Sequence, residues 1–214
     1  MSSIHQTSDL PSSRVSSRGE PAWEIAHLFP SQGAWSESDY LSLDTNRMIE
    51  LSNGCIEVLP MPTIFHQLIV QLLFDALHRF VSSGASGMVL MAPVPVRLWD
   101  GKFREPDLVY LRRERVHTIH GQPSGADLVM EVVSAGGENR ERDLHVKRSE
   151  YAVAGIGEYW IVEPEEQRIT VLTLEGQTYR EHGIFGAGEW ATSVLLPGFT
   201  VSVSDVFAAG QADL

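Results

Sequence analysis

Two carboxylates stand out in this sequence because each lies beside or inside an apolar run. Asp107 follows Pro106 and comes immediately before the run 108–111, where the end of a strand could direct its side chain into a cleft. Glu131 lies within the otherwise apolar run 128–133. A charge in a buried strand is costly unless it is paired or bound to a metal ion. Two simpler readings stay open: Asp107 as a turn-forming residue, and Glu131 on a solvent-facing strand.

Lys147 is the third residue whose position is informative. Along a helix of about 100° per residue, it falls near the middle of the stripe that should face the sheet. The alternative is an exposed ion pair with Asp143, four residues earlier, worth a few tenths of a kcal/mol. The inward placement favours a role in a site.

Together these three side chains have the chemistry needed for phosphodiester hydrolysis. Two nearby carboxylates can hold Mg²⁺ or Mn²⁺, with waters and a substrate oxygen completing the octahedron. Such an ion polarises the phosphoryl group and lowers the pKa of a water. A neighbouring ammonium group can orient that water and offset developing negative charge. The spacing alone makes this set suggestive.

The periodicity of apolar residues predicts the elements that would position the site. A helix capped within 36–39 runs to Leu43, and a hairpin over 48–59 turns at Asn53-Gly54. A longer helix covers Thr63 to about Ser82 and carries His66 on its apolar face. Another opens near Asn139 and ends near Gly155. Short apolar runs predict strands at 88–91, 94–99, 108–111, 128–133, 158–162, 168–174, 178–182 and 194–201.

This order of elements predicts an α/β or α+β fold, with a mixed central sheet flanked by helices. The hairpin lies on its N-terminal side, and antiparallel strands follow at the C-terminal end. Residues 1–22 are Ser-rich and weakly hydrophobic, so we expect a disordered tail there. Residues 23–214 are then expected to form one domain.

The stretch from Pro106 to Pro164 resembles the Uma-type family of restriction-endonuclease-like proteins, placed in the PD-(D/E)XK nuclease superfamily. The resemblance lies in Pro-Asp-Leu-Val at 106–109, Glu-Val-Val-Ser at 131–134, Arg-Asp at 142–143, Lys147 with Tyr151, and Glu-Tyr-Trp-Ile-Val at 158–162. Upstream, Glu50-Leu51, Asn53-Gly54 and His66 fit the family's hairpin and first helix. The resemblance covers roughly 40–200 and implies the restriction-endonuclease-like core.

The resemblance also implies roles for individual residues. Asp107, Glu131 and the backbone carbonyl of Val132 would hold Mg²⁺ or Mn²⁺. Lys147 on the following helix would supply the ammonium group that usually stands two residues after the acid, where this chain has Val133. Further residues could assist at the same cleft: His66, Glu50, Glu57, Asp143 and Tyr151. Taken alone, His66 is as readily a core residue, and Glu50 and Glu57 are as readily solvent-facing.

The overall charge and composition bear on partners and compartment. The net charge is −12, which disfavours general nucleic-acid binding, yet residues 97–148 hold ten of the sixteen Lys and Arg residues. Those cations are equally consistent with ordinary solvated faces. A single cysteine, Cys55, excludes an internal disulfide, and no apolar run is long enough for a membrane span. We therefore expect a cytoplasmic protein without a membrane association.

Three functions remain open at this point. The first is a metal-dependent endonuclease acting on nucleic acid, with DNA expected before RNA. The second is a catalytically inactive binding or assembly module on the same fold, and the third is a hydrolase of another phosphoester. A homodimer is expected from the apolar Ile161-Val162 strand and the C-terminal hairpins, because two sites would suit cleavage of both strands of a duplex.

Overall fold

The computed structural model describes residues 28–45, 47–84, 86–134 and 142–209, together with Arg18 and Ala26. Apart from Arg18, the predicted tail 1–22 lies outside the described residues. The predicted start of a helix near Asn139 and the side chain of Asp143 also lie outside them.

The described residues form twelve strands and four α-helices in a mixed order. The helices are α1 (Glu37–Ser42), α2 (Ile64–Gly84), α3 (Lys147–Val153) and α4 (Val203–Ala209). The strands are β1 (Ile49–Ser52), β2 (Cys55–Val58), β3 (Gly87–Met91), β4 (Val96–Trp99), β5 (Lys102–Arg104), β6 (Leu108–Arg112), β7 (Leu128–Val132), β8 (Glu158–Glu163), β9 (Arg168–Glu175), β10 (Thr178–Phe185), β11 (Trp190–Thr192) and β12 (Thr200–Ser202). A 3₁₀ turn spans Arg113–Arg115, and a π-helical turn, Arg142–Val146, leads into α3.

A six-stranded mixed sheet is the centre of the fold. Its order is β10-β9-β8-β7-β6-β3, with β7 and β8 parallel and the other neighbours antiparallel. A parallel pair needs a long crossover, which here includes α3. This confirms the predicted fold class of a mixed sheet with flanking helices.

The two faces of this sheet carry different helices, and β7 shows how the sequence assigns them. Successive strand residues point to opposite faces. Leu128, Met130 and Val132 face the core that holds α2 and α4. Val129 and Val133 face the core that holds Tyr151 of α3. Glu131 shares the parity of Val129 and Val133, so it meets α3.

A second, four-stranded sheet in the order β2-β1-β5-β4 closes one side of the site. The β1–β2 hairpin turns at Asn53 and Gly54, both with positive φ, as the Asn-Gly pair predicts. Before this hairpin along the chain, Ser36 caps α1 through a reciprocal capping box with Asp39. Strand β5 is missing from the sequence-based prediction, because a run of Lys102, Phe103 and Arg104 lacks an apolar pattern.

In the C-terminal half, one predicted strand and one predicted dimer surface are wrong, and one helix was missed. Most of the predicted strand 194–201 is instead a loop between β11 and β12, since Pro197-Gly198 interrupts it and Gly198 has a positive φ; its last two residues, Thr200 and Val201, belong to β12. The helix α4 was also not predicted. In addition, Ile161 and Val162 are buried in β8 between β7 and β9, so they cannot form the expected dimer surface.

The homodimer itself stays a prediction. Of the two features cited for it, the C-terminal hairpin remains, because β10 lies at the edge of the six-stranded sheet.

Across the described ranges, no helix combines the length and apolar character required to cross a membrane.

Candidate active site

Asp107, Glu131 and Lys147 come from three different elements and line one small cleft. Asp107 precedes β6, Glu131 lies in β7 and Lys147 is the first residue of α3. All three are buried, with exposed fractions of 8%, 4% and 2%. The cleft has a volume of about 40 Å³. We call it the acidic cleft; its polar lining is His66, Glu105, Asp107, Glu131, Val132, Ser134 and Lys147.

Asp107 is tied to the main chain of β7 and to the first long helix. Its Oδ2 accepts a hydrogen bond of 2.7 Å from the Val132 N–H and lies 3.3 Å from Nε2 of His66. The same His66 nitrogen lies 3.1 Å from the Val132 carbonyl oxygen. Thus His66 does approach the site, and the Val132 carbonyl oxygen faces the same group of residues.

The environment of His66 affects its protonation. Burial alone would lower the pKa of His66, but the hydrogen bond and charge of Asp107 outweigh burial, so the pKa is raised. The protonated form can donate to either acceptor, Asp107 or the Val132 carbonyl. When protonated, His66 adds positive charge beside the carboxylate.

Glu131 is held by two donors from α3. Its Oε1 accepts hydrogen bonds from Lys147 Nζ at 2.8 Å and from the Tyr151 hydroxyl at 2.6 Å. Lys147 and Tyr151 are four residues apart and therefore share one face of the helix. Burial, followed by the charge of Glu131, raises the pKa of Tyr151 well above its ordinary value, so the hydroxyl stays a donor. The predicted inward placement of Lys147 is confirmed.

Glu50 lies behind the acidic cleft and pairs with two cations. Its Oε1 lies 3.8 Å from Lys147 Nζ and accepts the N–H of Glu105, while Oε2 accepts a hydrogen bond of 2.5 Å from Arg104. Glu50 has no exposed surface. The expectation that Glu50 could be solvent-facing is wrong, and its contacts make it a support for Lys147.

Arg104 is the centre of a buried ionic group that the sequence did not indicate. Its guanidinium donates to Glu50, to Glu57 at 2.6 Å and to Glu150 of α3 at 2.7 Å. Lys102 pairs with Glu150 as well, at 2.5 Å. Lys102 and Arg104 share one face of β5 because they are two residues apart. Glu57 therefore contacts Arg104, and it is not among the residues that line the acidic cleft.

Glu105 also lines the acidic cleft, and the sequence analysis did not single it out. Burial, followed by the nearby charge of Glu50, raises the pKa of Glu105 to about 7. The main-chain N–H of Ile49 and the hydroxyl of Tyr40 interact with its carboxylate. Its position two residues before Asp107 could have indicated a place in the site. However, Glu105 follows Arg104 directly, and an acid beside an arginine commonly indicates a surface ion pair.

The donor set around the acidic cleft can be compared with the needs of a divalent cation. Among the described residues, no three His, Cys, Asp or Glu side chains converge to hold a metal ion by themselves. Mg²⁺, however, is usually bound by one or two carboxylates and keeps several waters. Asp107, Glu131 and the Val132 carbonyl oxygen fit that requirement.

Among the described residues of the basic stretch 97–148, several cations pair with acids inside the protein or at its surface. Lys102, Arg104 and Lys147 are buried among carboxylates. Arg97 pairs with Glu37, and Arg115 pairs with Asp127. The sequence suggested that these cations form either a nucleic-acid-binding patch or ordinary solvated faces, and neither interpretation describes the three buried cations. They neutralise acids inside the protein.

A larger cavity of about 640 Å³ lies elsewhere, beside β3 and the segment 115–124. Its lining is largely apolar around Arg115 and His117, and it contains no carboxylate. Of these two cavities, the smaller acidic cleft has the carboxylates that the predicted chemistry requires.

Comparisons with known proteins agree with this fold. The sequence model of the Uma2 family, described as "Putative restriction endonuclease", matches residues 37–204. No curated protein shows a significant sequence match. Among solved structures, the chain is similar to the crystal structure described as "a putative nuclease belonging to DUF820 from Anabaena variabilis ATCC 29413". The TM-score is 0.66 and the identity 17%, over 81% of this chain and 97% of the other.

The structural neighbour, at this identity, supports the fold alone. The family match covers more than three quarters of the chain and includes every residue that lines the acidic cleft. This chain belongs to the Uma2 family of restriction-endonuclease-like proteins.

Proposed function

We propose that this protein is a divalent-metal-dependent endonuclease that hydrolyses phosphodiester bonds of DNA, with Mg²⁺ or Mn²⁺ as its cofactor. The observation that carries this proposal is that Asp107, Glu131 and Lys147 line one cleft, in which Lys147 Nζ lies 2.8 Å from Glu131 Oε1. The family's description as a restriction endonuclease supports a nuclease and favours DNA as substrate.

Each residue has a specific role in this proposal. Asp107, Glu131 and the Val132 carbonyl would hold the ion. When bound there, the ion would polarise the phosphoryl group of the substrate and lower the pKa of a coordinated water. Lys147 would orient the attacking water and offset negative charge on the phosphate oxygens. His66 would keep Asp107 and the β7 main chain in register.

The dimensions of the acidic cleft support an arrangement in which the substrate stays outside. A volume of about 40 Å³ has room for an ion with a few waters but is too small for a nucleotide. A nucleic acid would therefore lie across the mouth of the cleft and present one phosphate. The −12 net charge predicts weak general affinity for DNA that falls steeply as salt increases.

A cleavage assay tests the proposed function and its alternatives. The purified protein is incubated with supercoiled plasmid, single-stranded DNA, RNA and free nucleotides, with Mg²⁺, Mn²⁺ or a chelator. We expect plasmid nicking or linearisation with either metal and no product in the chelator. Cleavage of nucleotides alone would indicate a hydrolase of another phosphoester. No turnover of any substrate, with both metals present, would favour an inactive binding module and contradict the proposal.

A further inference from the structure

Glu105 is a buried carboxylate whose bonding is incomplete. The residue is 7% exposed and lines the acidic cleft together with Asp107, Glu131 and Lys147. Ile49 and Tyr40 interact with its carboxylate, but Oε2 has no hydrogen-bond partner among the described residues. Buried polar atoms of native proteins nearly always have a partner, so an exception needs an explanation.

Other buried carboxylates of this chain show what a purely structural acid looks like. Glu50 uses Oε1 for the N–H of Glu105 and Oε2 for Arg104. Glu158 uses Oε1 for Trp160 and Ser193, and Oε2 for the N–H groups of 194 and 195. In both residues each oxygen accepts at least one hydrogen bond. Among the described residues, Glu105 lacks a hydrogen-bond partner for one of its two oxygens, although it is nearly as buried as Glu50 and Glu158.

The position of Glu105 suggests what would complete its bonding. It stands two residues before Asp107, and it belongs to the same cleft wall as the predicted metal ligands. Since no three side chains among the described residues converge as direct ligands, we do not assign Glu105 as an inner ligand. A hydrated Mg²⁺ or Mn²⁺ keeps several waters, and these are strong hydrogen-bond donors.

We propose that Glu105 is a third carboxylate of the metal site, whose Oε2 accepts hydrogen bonds from the waters of a divalent ion held by Asp107 and Glu131. This inference rests on the proposed function, because it needs that ion. Residues that contact an ion through its outer shell typically change metal affinity 10–100-fold when they are replaced. Glu105 would thus raise affinity without being a direct ligand.

The same proposal predicts an opposite effect on the metal-free protein. A buried carboxylate with one unpartnered oxygen destabilises the folded state, and a neutral amide at the same place is less costly. Glu105→Gln should therefore raise the Tm of the metal-free protein while weakening metal binding. A carboxylate with only a structural role would show neither the gain nor the loss.

The test measures Mn²⁺ binding by calorimetry and the metal-free Tm for wild type, Glu105→Gln, Glu57→Gln and Asp107→Asn. Glu57 is the matched control, because it belongs to the Arg104 group but does not line the cleft. We expect Glu105→Gln to bind Mn²⁺ about 10-fold more weakly and to gain about 2–5 °C in Tm. Glu57→Gln should bind Mn²⁺ as wild type does, and Asp107→Asn should bind least.

Three results would overturn the inference, and they are distinguishable. Unchanged Mn²⁺ affinity in Glu105→Gln, with binding lost in Asp107→Asn, would overturn the role of Glu105 and leave the proposed function standing. Weaker binding accompanied by a lower metal-free Tm would make Glu105 a structural residue. Absence of Mn²⁺ binding in the wild type would overturn both the inference and the metal dependence of the proposed function.

Discussion

Glu131→Gln is expected to bind Mn²⁺ about 100-fold more weakly, or not at all, and to lose DNA cleavage with it, while the protein stays folded. A neutral amide lacks the charge that a hard divalent cation requires of its ligand. The amide oxygen can still accept the hydrogen bond that Glu131 Oε1 receives from Tyr151. The loss of charge beside Lys147 should lower the free energy of unfolding by about 1–3 kcal/mol.

Calorimetric titration with Mn²⁺ and a circular dichroism spectrum of the same sample measure both parts of this prediction. Glu158→Gln is the matched control. Glu158 is also a buried strand carboxylate, but it lies opposite Leu128 in the register and does not line the acidic cleft. We expect folded Glu158→Gln to bind Mn²⁺ normally. Wild-type Mn²⁺ affinity in Glu131→Gln would remove Glu131 from the metal site.

Arg104→Met is expected to have the largest effect on stability, a loss of about 3–5 kcal/mol in the free energy of unfolding. The guanidinium is buried and pairs with Glu50, Glu57 and Glu150. Burial lowers the pKa of Arg104, but the hydrogen bond of Glu150 and the neighbouring charges outweigh burial and raise it, so the group stays charged. Methionine would fill much of the volume but leave buried carboxylates without their shared cation.

Urea unfolding of wild type, Arg104→Met and Arg97→Met measures this difference. Arg97 is a half-buried arginine whose ion pairs with Glu37 and Asp100 reach solvent. Its replacement should cost less than about 1 kcal/mol, as for surface pairs in general. Equal losses in the two variants would contradict the account of Arg104 as the centre of the buried group.

Arg104 also has a consequence for the site, because it holds Glu50 and Glu50 lies 3.8 Å from Lys147. The ionic group thus connects β1, β2 and β5 with α3, which carries Lys147 and Glu150. An arrangement of this kind fixes a lysine more firmly than a single ion pair does. The four-stranded sheet therefore positions the site in addition to covering it.

Much of the central fold could be predicted from periodicity. The apolar residues of α2 repeat at helical spacing, and β6, β7 and β8 are short apolar runs between turn residues. The direction of the Lys147 side chain towards the sheet could be predicted because helix geometry is regular over a few residues. In each of these cases, the information lies within one segment of the chain.

The Arg104 group could not be predicted, because it depends on pairing between distant segments. Strand β5 pairs with β1 about fifty residues away, and only that register brings Arg104 to Glu50. In the sequence, Lys102, Arg104 and Glu105 are as readily the charged residues of an exposed strand. The predicted strand 194–201 was wrong for a local reason: Leu195 and Leu196 resemble strand residues, yet Pro197-Gly198 ends any ladder.

The most direct test of the central claim compares plasmid cleavage by the wild type and by Asp107→Asn under single-turnover conditions with Mg²⁺. Asparagine keeps the size of the side chain and can still accept the Val132 N–H, but it removes the charge proposed to hold the ion. We predict metal-dependent cleavage by the wild type and a rate reduced by on the order of 10³-fold or more in Asp107→Asn. Equal rates in the two proteins, or wild-type cleavage that persists in a chelator, would contradict the assignment of the acidic cleft as a metal-dependent nuclease site.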